Sequence, residues 1–428
     1  MENKFKFMLI NDNKIFFSLF SILPISIIAG PTVSLINVLL IFFLYFFVFF
    51  KNKHYKFLFK DKTIYLLLII CIYLIFNSLI SIDYEVGLNR NLGFIRFLFF
   101  FIAINYFFYI SQKNLKIINI WTVFIIIFAT DVYFERFFGA NIFGWGAYEI
   151  NNIKQPHGTR VMSFFKDEPI AGAYLNGFIF LICGYLLSIN KNKKKLHLPL
   201  ILLLLYLLFS ILVTGERSNS LKALFGMVLF LSSIDFIKLK SKIIIFFVLI
   251  LSFVLIISNS NYLKNRYFGQ LYSAAFLEKD SKFFEENIYI KLYKSGIKVF
   301  KNYPLLGVGN KNYRVEACSD KAIELNYFCM THPHQVYFEF LAEHGLIGST
   351  ILLFVFFFLM FKNLKIMILS QNYIQIGALL YLLFTFIPLL PSGSFFSDFN
   401  ITLFFINFSL MYSVSKNTNI FFKKKNLS

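Results

Sequence analysis

Apolar runs recur along the whole chain, broken by short polar stretches. Twelve can be drawn, at roughly 15–29, 32–50, 63–81, 94–110, 117–134, 168–188, 198–214, 219–237, 243–259, 346–361, 372–390 and 400–415. Each is near the length a helix needs to cross hydrocarbon, about 20 residues. The pattern predicts an all-α polytopic membrane protein of about twelve transmembrane helices. Pro24 and Pro388 fall inside predicted spans, where a kink is tolerated if neighbours satisfy the freed backbone groups. Ile82–Gly93 reads as a short polar loop.

Two longer polar stretches interrupt the pattern. One, about 135–166, is rich in Gly, Asn and aromatic residues. The other, about 259–345, mixes acidic and basic residues and lies between the ninth and tenth predicted spans. It divides the chain into N-terminal helices (1–258), a large loop (259–345), and C-terminal helices with a basic tail (346–428). Within the loop, Glu286–Tyr303 places Ile288, Leu292, Val299 and other apolar residues at helical spacing. This predicts an amphipathic helix lying against the membrane or over a cavity. The run from Pro304 to Gly309 ends it.

Composition agrees. The chain is 58% hydrophobic, with mean hydropathy +0.68, above the roughly 45–50% apolar content of soluble domains. A net charge of +20 would suggest nucleic acid in a soluble protein, but here the charges are placed. Lys51, Lys53, Lys56, Lys60 and Lys62 share one loop; Lys191, Lys193, Lys194 and Lys195 another; Lys238, Lys240 and Lys242 a third; Lys416 and Lys423–Lys425 the tail. The alternate short loops carry at most Arg90. By the positive-inside rule the Lys-rich loops and both termini face the cytoplasm. No basic stripe is interleaved with base-stacking aromatics, so nucleic acid is not an expected partner. The first apolar run has no small-residue cleavage site and reads as a signal anchor.

Cys71 and Cys183 fall in apolar runs and read as packing residues. Cys318 and Cys329 share the large outer loop, where an oxidising compartment would permit a disulfide. Two unrelated thiols, or a metal site with His332 and His334, are the other readings; the latter lacks the usual ligand spacing.

Three of the six histidines, His332, His334 and His344, lie within Thr331–Gly348, where the large loop re-enters the membrane. His334 is a candidate general base, since an imidazole accepts a proton at neutral pH. It could equally be an interfacial histidine that only hydrogen-bonds. Arginine beside a bilayer is costly and is usually paired or functional. Arg160 closes the first outer stretch, and Arg217 lies in the tight turn Thr214–Ser220. Both fall on the predicted side of His334. Guanidinium groups grip phosphate bidentately, so two arginines and a histidine suit a diphosphate-linked substrate whose lipid stays in the membrane. Pairing of Arg217 with Glu216, or of Arg160 with Asp167, as mere loop tethers is the alternative. Asp167, Glu168 and Glu343 could orient His334 or an arginine, and His332 and Gln335 flank the base. There is no Walker loop or Rossmann glycine pattern, so energy must come from an activated donor or a gradient.

His334-Gln335, nine residues, then Gly345 and Gly348 resembles the histidine motif of the O-antigen ligase/O-antigen polymerase superfamily of bacterial membrane glycosyltransferases. Pro304–Gly309 looks like that family's lead-in. Thr214-Gly215-Glu216-Arg217 resembles its Thr-x-Ser-Arg turn, with Glu216 where serine is usual. Arg160 with Phe164–Leu175 resembles its outer-loop arginine segment, and Pro391–Phe396 a late motif of polymerase-like members. The likeness spans about 135–400.

The resemblance implies a helical bundle with a large periplasmic loop in the bacterial inner membrane. It implies a metal-independent transferase, without cofactor, that moves glycan from undecaprenyl diphosphate to a lipid A-core or to another lipid-linked glycan. A chain-length regulator could assist it. His334 would activate the acceptor hydroxyl, and Arg160 and Arg217 would bind the diphosphate. The rival reading is a polytopic transporter or lipid-linked glycan flippase. It explains the spans equally well, but carriers more often hold their polar residues at the bilayer midplane.

Overall fold

The computed structural model describes residues 13–146, 160–166, 168–193, 196–269 and 287–422. Its principal elements are helices, and no named strand occurs among the described residues. In chain order these are α1 (13–28), α2 (Pro31–Lys51), α3 (Lys62–Leu79), α4 (Tyr84–Gly93), α5 (Ile95–Ile110), α6 (Ile117–Phe138), α7 (Ala171–Asn190), α8 (His197–Val213), α9 (Arg217–Ser233), α10 (Leu239–Ser258), α11 (Ile288–Asn302), α12 (Val336–Phe361), α13 (Tyr373–Thr385) and α14 (Asp398–Ser413). Among the described residues seven helical stretches are long and apolar enough to cross a membrane. They are Pro31–Lys51, Lys62–Leu79, Tyr84–Ile110, Lys113–Phe138, Ala171–Asn190, Leu239–Ser258 and Val336–Leu369. Shorter apolar helices add Leu198–Val213 and Tyr373–Thr385. The chain is an all-α, membrane-embedded polytopic protein.

Local chemistry sets the helix ends. The Asp61 carboxylate accepts the Thr63 N–H at 2.7 Å and starts α3. Gly139 closes α6 in the left-handed conformation, φ 85°, with its N–H on the Glu135 carbonyl. Pro24 sits in the first turn of the second segment of α1, just after a break at Ile22.

Three expectations shift. Residues 84–93, read as a loop, form α4, because Asp83 caps it through the Glu85 N–H at 3.0 Å. Arg90 and Arg96 then both reach Asp398 at the start of α14, at 3.1 and 2.7 Å. Helix α13 ends at Thr385, so Pro388 lies beyond it and not within a span. Helix α12 begins at Val336, ten residues before the run expected at 346.

Helices α7 and α14 are enclosed by their neighbours, whereas α10 lies at the rim with most of its apolar surface facing outward. A β-carbon at Gly184 of α7 would fall on the Tyr373 carbonyl, and one at Gly377 of α13 on the Phe180 carbonyl. This reciprocal pair lets the two backbones touch, as small residues do in membrane bundles.

Candidate active site

Helix α12 carries the histidine motif, and its geometry explains the spacing. The Gln335 side chain caps the helix, accepting the N–H groups of Tyr337 at 2.7 Å and Phe338 at 3.2 Å. His334, just outside the cap, has φ 55°, and its carbonyl accepts the Ser392 N–H at 2.8 Å. The helix then breaks at Gly345, with φ 63° and ψ −167°. A break leaves orphaned peptide groups, which cost several kcal/mol each in hydrocarbon unless they are paired.

The Pro304–Gly309 run supplies the partners. The N–H groups of Val308 and Gly309 donate to the carbonyls of Ala342 and Glu343, at 3.0 and 2.9 Å. The N–H groups of Leu346 and Ile347 donate to the carbonyls of Pro304 and Leu305, at 2.8 and 3.1 Å. A side chain at Gly345 would strike the backbone of Leu305 and Leu306. Gly348 leaves room for the Tyr73 hydroxyl, which lies 3.2 Å from Nδ1 of His344.

Above the cap, the rings of His332 and His334 lie 4.0 Å apart, inclined by 38°. Burial pushes His332 down to about 4, assisted by the Lys311 ammonium. Burial and the neighbouring His332 push His334 down to about 4, against the opposing pull of Glu339. Both imidazoles are therefore neutral at neutral pH.

Beneath them Glu339 is fully buried. Its carboxylate accepts the Ser394 hydroxyl at 2.5 Å and the Phe395 N–H at 2.9 Å, with the Lys311 ammonium 3.9 Å away. Lys311 also donates to the Ser394 hydroxyl. The late segment Pro391–Phe396 is thus clasped by the helix that presents His334. Glu343, one turn further on, is fully buried near Glu339 and the backbone of Lys311 and Tyr313.

The arginines gather around the α8–α9 turn. The Thr214 carbonyl accepts the Val161 N–H at 3.1 Å, which ties the Arg160 segment to the turn. Asp131 and Glu135 of α6 hold that segment from the other side. Glu135 accepts the N–H groups of Met162 and Ser163 at 3.1 and 2.5 Å, and Asp131 the Ser163 hydroxyl at 2.5 Å. Glu216 does not pair with Arg217. Its carboxylate accepts the Gly172 N–H at 2.6 Å, over the N-terminus of α7, and the Asn219 amide at 2.6 Å. Burial pushes it up to about 7, with those hydrogen bonds and Arg160 pulling the other way.

Arg266 completes the group. Its Nε donates to the Gly215 carbonyl at 3.3 Å. Burial lowers its pKa, and Arg160 and Arg217 lower it further by like-charge repulsion. Among the described residues neither Arg160 nor Arg217 forms an ion pair with a carboxylate. The three guanidiniums thus form a patch of mutually repelling positive charge, chemistry suited to an anion. Tyr289 links this cluster to the histidines. Its ring lies 6.3 Å from that of His334, nearly perpendicular, and its hydroxyl interacts electrostatically with Arg266.

The family model described as O-antigen ligase matches residues 201–353. This stretch is similar to the O-antigen ligase family. It runs from α8 into α12 and includes Arg217, Arg266, Tyr289, Lys311, His334, Glu339 and both motif glycines. Arg160 lies outside the match, but the next residue, Val161, bonds to Thr214 within the matched stretch. Over 201–353 this membrane protein is therefore similar to the O-antigen ligase family, in line with the resemblance to the O-antigen ligase/polymerase superfamily. No curated protein matches it.

The fold brings together His332, His334 and Gln335, and separately Arg160 and Arg217. Glu168 is exposed, and Asp167 lies outside the described residues. Cys318 and Cys329 form a disulfide with Cα atoms 4.6 Å apart, which takes both thiols away from the metal reading. Among the described residues no group of three His, Cys, Asp or Glu side chains is placed to hold a metal ion. Sequence reasoning missed Arg266, Lys311, Tyr289 and Glu339. Glu339 had a signal, a carboxylate inside a largely apolar helix four residues beyond Gln335. Arg266 had none, lying in a polar loop among other charges.

Proposed function

We propose that this protein is a membrane glycosyltransferase that transfers or polymerises undecaprenyl-diphosphate-linked glycan units at the periplasmic face of the bacterial inner membrane. The observation that carries the reading is the arginine cluster, in which Arg160 and Arg217 form no ion pair with a carboxylate among the described residues, linked through Tyr289 to a neutral His334. The Lys-rich loops favour the opposite, cytoplasmic side. Twelve spans follow if 13–28, α9 and α14 cross together with the other apolar helices.

In this mechanism the imidazole of His334 takes the proton of the acceptor hydroxyl. The freed oxygen attacks the anomeric carbon of the donor as the bond from that carbon to the diphosphate oxygen breaks. Attack from the opposite face inverts the anomeric centre. Undecaprenyl diphosphate leaves with the bonding electron pair, and its charge is met by Arg160, Arg217 and Arg266. The buried Glu339 carboxylate stabilises the imidazolium formed on His334. The reading needs no metal or cofactor. The acceptor is a lipid A-core for a ligase, or a second lipid-linked glycan for a polymerase, where a chain-length regulator could act.

The test uses protein in nanodiscs with undecaprenyl-diphosphate-linked repeat units, with and without lipid A-core. A ladder of longer lipid-linked chains, lost in His334→Ala, identifies a polymerase. Transfer only with core identifies a ligase. No product in either case, with His334→Ala indistinguishable from wild type in cells, removes the transferase reading and favours a transporter.

A further inference from the structure

Helix α11 is fixed firmly against the histidine motif. Gly296 packs on Pro333 and Phe338, whose β-carbons lie 3.1 and 3.2 Å from where its own would be. The Tyr293 ring lies 5.0 Å from that of Phe338, and its hydroxyl donates to the Leu389 carbonyl at 3.3 Å. The Asn287 side chain caps the helix by accepting the Tyr289 N–H at 3.0 Å. This leaves Tyr289, one turn before Tyr293, held half-buried where the two halves of the site meet. Its ring lies 6.3 Å from that of His334, and the residue interacts electrostatically with Arg266.

Glycosyl transfer constrains what can occupy that junction. The anomeric carbon is bonded to the diphosphate oxygen until that bond breaks, so it lies beside the arginines. The acceptor oxygen that attacks it must at the same moment be within hydrogen-bond reach of the His334 imidazole. The sugar ring that carries the anomeric carbon is therefore confined between the two clusters. An aromatic ring suits this place, because its face packs against the apolar C–H surface of a pyranose while a phenol hydroxyl bonds to a sugar hydroxyl.

We propose that Tyr289 forms the subsite for the diphosphate-linked first sugar of the donor, between the arginine cluster and His334. This rests on the glycosyl-transfer reading above. It makes Tyr289 a residue that recognises the sugar and not the lipid diphosphate.

The experiment uses the full chain in nanodiscs. It measures KM for the undecaprenyl-diphosphate-linked repeat unit, and inhibition by sugar-free undecaprenyl diphosphate, for wild type, Tyr289→Leu and Tyr289→Phe. The subsite predicts that Tyr289→Leu raises KM about tenfold, the scale of one lost stacking contact, while inhibition stays within about twofold. Tyr289→Phe, which keeps the ring, stays within about threefold of wild type in KM. Equal thermal aggregation midpoints for the three proteins establish that all are folded. A fall in kcat with KM unchanged would overturn the subsite, because the ring would then only steady His334. Inhibition weakened as much as KM would also overturn it, because the ring would then serve Arg266. Wild-type protein that forms no glycan product removes the transferase reading and the subsite together. Active wild type with an unaffected Tyr289→Leu removes the subsite alone.

Discussion

The Tyr73 hydroxyl occupies the space left by the absent side chain of Gly348 and lies 3.2 Å from Nδ1 of His344. A glycine on α12 thereby admits a tyrosine from α3 beneath the broken turn. Gly348→Ala should destabilise the protein by about 1–3 kcal/mol, the usual cost of overpacking. Tyr73→Phe removes the nearest atom that the new methyl group would strike, but leaves the ring carbon Cζ at 2.5 Å and the His344 Cβ at 2.8 Å. Adding it to Gly348→Ala should recover only part of the loss, and thermal unfolding of the two single variants and the double variant measures the coupling.

Glu339 and Lys311 share the Ser394 hydroxyl in a buried site. Glu339→Gln keeps the shape but leaves the ammonium uncompensated, a change that costs about 3–5 kcal/mol in buried pairs. It also removes the carboxylate that favours a protonated His334, so turnover should fall by roughly ten- to a hundredfold. Lys311→Met in the Glu339→Gln background should restore part of the thermal midpoint without restoring turnover. Recovery of both would assign Glu339 to stability alone.

His332 and His334 are both held down to about 4, chiefly by burial. An imidazole in the unfolded chain titrates near 6.5. Between about 6.5 and 4 the unfolded chain takes up protons that the folded site refuses, so stability falls as the pH drops through that window. Above about 6.5 the pair contributes no pH dependence. Turnover through neutral His334 should stay level from about pH 8 to 6 and decline only toward 4. Thermal midpoints and initial rates across this range test both statements. A rate inflection at 6.5 would mean a solvated imidazole.

Arg266 repels Arg160 and Arg217 while its Nε holds the Gly215 carbonyl. Arg266→Lys keeps the charge and loses the planar fork, so affinity for undecaprenyl diphosphate should fall about tenfold, and further in Arg266→Ala. Inhibition constants measured at two salt concentrations check this, the loss being smaller at high salt.

The disulfide between Cys318 and Cys329 closes a short loop just before His332. Replacing both cysteines by serine should cost about 2–3 kcal/mol through the freedom gained by the unfolded chain. The thermal midpoint of the double variant, with and without reductant, measures it, and reductant should shift only the wild type.

Periodicity alone made the helical membrane architecture legible, because the bilayer imposes a length and an apolar composition on every span. Lysine placement adds an expected sidedness, drawn from loop charge and not from span length. The motif His334, Gln335, Gly345 and Gly348 was visible as a spacing, but its meaning was not. Three of its four residues serve the backbone: a cap, a break filled by Pro304–Gly309, and a hollow for Tyr73. The polar turn at 82–93 misled because its apolar content is low, although Asp83 caps it as a helix.

What tertiary structure alone decided was the company each charge keeps. Glu216 follows Thr214-Gly215 in sequence beside Arg217, yet it caps a different helix at Gly172. Arg266 joins Arg160 across more than a hundred residues of chain, and Glu339 meets Ser394 on the late loop. Side-chain charge carries no local periodicity, so its partners are set by how helices distant in sequence pack, and only the folded chain contains that information.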